Sequence, residues 1–193
     1  MKKHNKFIIL ILIVALVSVL ALGCACEETM PAEEPGETEE TGEEAPVTPE
    51  ERKISYVLYL KYADKPFLSA ERFQMTLSPD DLRTPMEVAL DELMNYEGDG
   101  TFVSPIPEGT KLLSLTAGEK TVEVDFSKEF LGVKMPKEDA KVVVAAIVNT
   151  LLFNQETAES VEIKIEGTLL REFSGYSYEP PLGLVEDGIF PDK

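Results

Sequence analysis

The chain has 193 residues, enough for about one domain at the usual roughly 100–200 residues each, and its 36 acidic against 18 basic side chains give a net charge of −18. That charge excludes nucleic-acid binding, because holding phosphates takes clustered Lys and Arg, and past the first six residues the sequence has no basic patch. The one His, His4, sits in the N-terminal segment, which takes Ser–His–Asp, Cys–His and His-bearing zinc chemistry away from the rest of the chain.

At the N-terminus, Lys2, Lys3 and Lys6 precede an apolar run from Phe7 to Leu22, broken only by Ser18. This is the layout of an export signal, assigned to residues 1–23. The run is shorter than the roughly 20 residues a spanning helix needs, so a different anchor is expected. Ala21-Leu22-Gly23-Cys24 resembles the bacterial lipobox, in which a small residue precedes the Cys that receives diacylglycerol. Cys24 is therefore the expected lipid attachment. Two or more acyl chains hold a protein stably where one does not. A Cys24–Cys26 disulfide is disfavoured, because alternate residues of an extended chain point the same way at the limit of disulfide reach. The expected location is the extracytoplasmic face of the cell membrane.

Residues 24–52 read as an acidic linker: Glu27 to Glu51 contains eleven Glu, no Lys or Arg and little to bury, a composition that does not repay the entropy of ordering. The foldable segment is residues 53–175, followed by a tail, 176–193. Within it, Ile54–Tyr62 and Glu71–Leu77 predict two strands, the second alternating Phe73, Met75 and Leu77 with polar neighbours. Thr84-Pro85-Met86-Glu87 carries the signals of a capped helix running to about Asn95, with Met86, Ala89, Leu90, Leu93 and Met94 as its apolar stripe. Gly98-Asp99-Gly100 then makes a loop. Lys111–Thr116 and Thr121–Phe126 flank Ala117-Gly118-Glu119-Lys120 as a hairpin that turns Val122, Val124 and Phe126 to one face. A second helix after Pro136 carries Ala140, Val143, Val144, Ile147, Val148 and Leu151 at helical spacing. Val161, Ile163 and Ile165 give a last strand, closed at Glu166-Gly167 and extendable through Thr168–Leu170. Helices interleaved with hairpin-connected strands predict an α+β sandwich, two helices covering one face of a mixed or antiparallel sheet.

Several motifs in this order resemble one family. Pro85-Met86-Glu87-Val88-Ala89-Leu90, Ser104-Pro105-Ile106-Pro107-Glu108-Gly109-Thr110-Lys111-Leu112-Leu113-Ser114, Val124-Asp125-Phe126-Ser127-Lys128-Glu129-Phe130 and Val148-Asn149-Thr150-Leu151 are similar to those of the GerMN domain, the sporulation and spore germination domain. The resemblance spans about residues 54–173, in one copy. It implies a lipoprotein module with a βαββαβ-like fold similar to ring-building domains, and it implies no catalytic residues.

The same motifs have physical readings. Pro105, Pro107 and Gly109 shape a rigid turn leading Leu112 into the hairpin. Asp125 and Ser127 are expected to close their strand by accepting from following backbone amides. Asn149 and Thr150 interrupt an apolar helix, where each can pair with backbone at an edge or meet a partner. A carboxylate pair acting on a glycan is the enzyme reading left, and no pair is singled out by spacing. No catalytic residue, metal site or cofactor is expected. Val142 to Val148 is apolar all round as a helix, so one face is left after the sheet is covered. Val142, Ala145, Ala146 and Asn149 form the candidate interface. Its cover is either another protein or the chain's own segment from Tyr176 to Phe190. The function expected is a non-catalytic interaction and assembly part of the envelope, in sporulation or germination, with an envelope protein or a second copy as partner. The alternative is an extracytoplasmic ligand-binding or sensor-kinase accessory lipoprotein.

Overall fold

A computed structural model of the chain describes residues 50–191. The export segment, the Cys24 motif and nearly all of the acidic linker lie outside the described residues, in which no helix is long and apolar enough to cross a membrane. The first strand, β1 (Arg52–Tyr62), buries Ile54, Tyr56, Leu58 and Leu60 on one face and Val57 and Tyr59 on the other. Burial on both faces is why its sequence is nearly unbroken in apolar residues rather than alternating. It pairs antiparallel with β2 (Leu68–Leu77), from Arg52 opposite Leu77 to Lys61 opposite Leu68. β2 starts three residues before the expected Glu71, because Leu68 is fully buried and its neighbours complete the ladder.

Helix α1 (Pro85–Met94) begins as its sequence dictates. The Thr84 hydroxyl accepts from the Glu87 amide at 3.2 Å while the Glu87 carboxylate accepts from the Thr84 amide at 2.7 Å, which closes the capping box. Its stripe is wider than expected, since Val88 is fully buried along with Met86, Ala89, Leu90 and Leu93. After the Gly98–Gly100 loop comes β3 (Phe102–Val103), two residues that pair with the end of β1. The Asp99 carboxylate shapes that loop by accepting from the amides of Thr101 and Phe102, both at 2.8 Å.

The hairpin is β4 (Leu112–Ala117) and β5 (Thr121–Phe126), with a bulge between Leu112 and Ser114. Val122, Val124 and Phe126 are fully buried, as the period of two requires. A 3₁₀ turn (Lys128–Leu131) brings Phe130 to stack on Phe126 at 5.4 Å. Helix α2 (Lys137–Phe153) then crosses to β6 (Ser160–Ile165), which lies parallel to β5. β7 (Thr168–Leu169) returns beside β6, and β8 (Glu172–Phe173) with β9 (Tyr176–Ser177) make a last small hairpin.

The architecture is the α+β one expected, two helices with mixed and antiparallel sheets, and the strands divide between a three-stranded sheet, β2-β1-β3, and a four-stranded sheet, β4-β5-β6-β7. They do not join into one because most of the second edge of β1 is taken by α2 instead of a strand. The main core lies between the helices and both sheets.

Candidate interaction surface on the second helix

From Val142 to Val148 helix α2 is apolar all round because that stretch is covered all round. Val143, Val144, Ile147, Val148 and Leu151 join the main core, while Val142, Ala145 and Ala146 enter a second cluster with Val57, Tyr59, Leu68 and Ile189. From Val142 to Leu151 every residue is buried.

Its buried polar residues, Asn149 and Thr150, are committed to backbone. The Tyr59 amide, on the strandless edge of β1, donates to the Thr150 hydroxyl at 3.0 Å. Asn154, just past the helix, accepts from the Val57 amide at 2.9 Å and donates to the Val57 carbonyl at 2.7 Å. A helix thus seals an edge that would otherwise present unpaired amides and carbonyls. Asn149 does the same on the other side: its amide donates to the Val185 carbonyl at 2.7 Å, and its oxygen accepts from the Val185 amide at 2.9 Å.

Val185 belongs to the C-terminal tail, which the structure places over this face. The Tyr178 hydroxyl donates to the Ala140 carbonyl at 3.0 Å, and Leu182 forms an antiparallel bridge with Val161. The Lys141 ammonium donates to the Asp187 carbonyl, and the Leu68 amide to the Ile189 carbonyl at 2.6 Å. Ile189 is fully buried, and Phe190 packs at 6.2 Å from the Tyr59 ring. Burial raises the pKa of Tyr178, and burial followed by the Glu186 charge raises that of Tyr59.

Val142, Ala145, Ala146 and Asn149 are therefore brought together on one face, each no more than 1% exposed beneath the tail. Asn154, Lys141 and Ile189 also build this site. The spacing of Val185 with Ile189-Phe190 is a legible apolar signal, whereas nothing near Asn154 in sequence points to a strand edge 97 residues away.

The other motif residues are clasps. The Ser127 hydroxyl accepts from the Lys111 amide at 3.0 Å, and the Lys111 carbonyl accepts from the Ser127 amide at 2.9 Å, tying β4 to the end of β5. Asp125 accepts from the Gly167 amide at 2.9 Å, in a turn where Glu166 and Gly167 both have positive φ, while its other oxygen has no partner. Both partners come from neighbouring segments of the sheet rather than from the following amides expected, because β5 is an interior strand. The Pro107–Thr110 turn has Gly109 at φ +82°. The hairpin it feeds leaves Leu112 and Leu113 exposed.

Open cavities lie at both ends of the helix. One of about 380 Å³ lies at its C-terminal end, where Ser55, Arg72, Asn154 and Gln155 contribute to the wall. The other, about 420 Å³, lies at its N-terminal end beside Phe67, Lys137, Lys141 and Tyr176. Among the described residues no group of three or more His, Cys, Asp or Glu is placed to hold a metal ion.

No curated protein matches this chain. Among solved structures, the tandem GerMN domains of the sporulation protein GerM from Bacillus subtilis match with a TM-score of 0.56 at 22% identity, over 68% of this chain and 46% of that one. This chain thus spans under half the length of that tandem pair. The first GerMN domain of the same protein alone matches with the same score and identity, over 67% of this chain and 97% of that one. These likenesses show the fold. The model of the family described as "sporulation and spore germination" matches residues 57–171, more than half of the chain. The chain belongs to the sporulation and spore germination family, with a GerMN-type domain.

Proposed function

We propose that this chain is a lipid-anchored, non-catalytic assembly module on the extracytoplasmic face of the cell membrane, serving sporulation or germination. The observation that carries the reading is how the polar residues of the family motifs are used. Ser127, Asn149 and Thr150 each bond to the chain's own backbone, and Asp125 spends one oxygen on the Gly167 amide, so they support the shape of a surface instead of presenting a reacting group. The anchor rests on Gly23-Cys24 at the end of the apolar run, with the acidic linker as a self-repelling spacer between lipid and domain. The partner is an envelope protein or a second copy.

The test is metabolic labelling with an alkyne fatty acid, followed by affinity capture of the tagged chain from crosslinked membranes, with Cys24→Ala beside it. Label on the wild type alone and a defined membrane complex lost with Cys24→Ala are expected. Equal labelling overturns the anchor, and capture of the tagged chain alone overturns the assembly role. A second reading, an extracytoplasmic ligand-binding or sensor-kinase accessory, is favoured by the 380 Å³ cavity at Arg72 and Asn154. Recovery of a glycan or small molecule and no protein would put it first.

A further inference from the structure

We propose that the groove under the C-terminal tail is a peptide-docking site whose resting occupant is the chain's own segment from Val185 to Phe190. Its ligand is a stretch of a partner protein with the same pattern, an aliphatic residue, two acidic residues, a Gly and an aliphatic–aromatic pair. The proposal deepens the assembly reading above and rests on it.

The groove is built to take one anchor. Val57, Leu68, Val142, Ala145 and Ala146 line it, and the two alanines leave the space that Ile189 fills. Ile189 is the only fully buried residue between Gly183 and Pro191, whereas Leu184 is 52% exposed and Glu186 and Asp187 face solvent. Around that anchor the body reads main chain. Asn149 takes both backbone groups of Val185, Lys141 takes the Asp187 carbonyl and the Leu68 amide takes the Ile189 carbonyl. Contacts with the backbone of alternate residues bind any peptide that adopts the path, and a pocket for one side chain adds selection. The path includes Gly188 at φ +66°, a conformation Gly supplies at no steric cost, so a Gly before the anchor is part of the ligand. Lys137 and Lys141 stand at the groove's mouth with Glu138, a net positive charge in a chain that is otherwise strongly acidic, which suits acidic residues ahead of the anchor.

The occupant lies outside the family domain that forms the groove. All five lining residues, with Lys141 and Asn149, fall within the family match of 57–171, whereas the segment that fills the groove lies beyond it. A tethered occupant competes at the high effective concentration of its own linker, so the resting chain binds a free peptide weakly.

The probe is a fluorescent synthetic peptide with the sequence of residues 182–191, titrated by anisotropy against the full chain in detergent. Wild type is compared with Ile189→Asp, whose own tail cannot seat. Folded, monomeric Ile189→Asp should bind at least about tenfold more tightly than wild type, and a peptide carrying the same Ile-to-Asp change should not bind. Equal, negligible binding to both proteins overturns the proposal. So does dimerisation of wild type by exchange of tails, which would make a second copy the occupant. Should Ile189→Asp fail to fold, hydrogen exchange at the Leu68 amide of wild type decides. Exchange faster than at Val57 and Tyr59 marks a tail that opens alone and supports the site, while exchange only with them overturns it. Capture of the same membrane partners by wild type and Ile189→Asp in equal amount overturns the groove and leaves the assembly role standing; the anchor and capture experiments above test that role by themselves.

Discussion

Three neutral side chains on or just past one helix do the work of two missing strands. Asn149 and Asn154 each present a donor and an acceptor in the spacing of a peptide group, and each bonds both backbone groups of a single residue, Val185 or Val57. Thr150 adds an acceptor for the Tyr59 amide, in a fully buried setting. A buried donor left without a partner costs its desolvation in full, so such residues weigh more than their single hydrogen bonds suggest. Asn154→Ala strands the Val57 amide and carbonyl together and should destabilise the domain by about 2 kcal/mol. In urea unfolding the midpoint should fall with the slope unchanged, since the surface exposed on unfolding is the same. A midpoint within error of wild type would mean that water reaches this edge and that α2 does not seal it.

At the level of elements, what was legible in the sequence follows how local the cause is. The capping box at Thr84, the alternation through Val122, Val124 and Phe126 and the helical spacing from Ala140 to Leu151 each depend on neighbours within one or two turns of chain, and each element forms where they place it. β3 was not legible, being two residues that are strand only because the end of β1 lies opposite. The covering of α2 by the tail stood open for a related reason. An all-apolar helix announces that it needs two covers, but the partner of its second face lies 36 residues along, behind Asn149. The exposed first strand of the hairpin, with Leu112 and Leu113 outside, also runs against its composition. The most local element offers the cleanest measurement. Thr84→Ala removes the acceptor for the Glu87 amide and leaves the reciprocal bond without its frame, and it should cost about 1 kcal/mol. Hydrogen exchange should localise the loss to the first turn of α1, with the amide of Glu87 most affected. Uniform loss across the domain would assign Thr84 a role in the β2–α1 loop, where Asp81 and Arg83 are paired at 2.7 Å.

For the molecule as a whole, the titrating groups set two limits to stability, and the tail supplies one of them. On the acid side, Asp81 is held below the ordinary carboxylate range by the Arg83 guanidinium, Asp99 by the Phe102 and Thr101 amides, and Glu129 by the Ser127 hydroxyl. A lowered folded-state pKa gives stability that is present above the unfolded value, near 4, and lost as the pH falls through the folded one. All three carboxylates are at the surface, so this limb should be shallow and should flatten further in salt. On the alkaline side, Tyr56, Tyr59 and Tyr178 are raised above their ordinary value, chiefly by burial, and Lys164 is raised by the Glu123 carboxylate. The native state then binds protons that the unfolded chain has released. This contribution is complete below about pH 10 and declines as the pH rises beyond it. Tyr178 is the most strongly shifted of these and lies where the tail meets Ala140, so its ionisation should release the tail along with stability. Tyr178→Phe loses the hydrogen bond to the Ala140 carbonyl and should cost about 1 kcal/mol at pH 7. Because the variant has no proton to release there, its urea midpoint should fall less steeply than wild type above pH 10, and the two curves should converge or cross by about pH 12. Parallel curves through that range would mean that the Tyr178 hydroxyl is open to water in the folded protein, and that the tail does not cover α2 at that end.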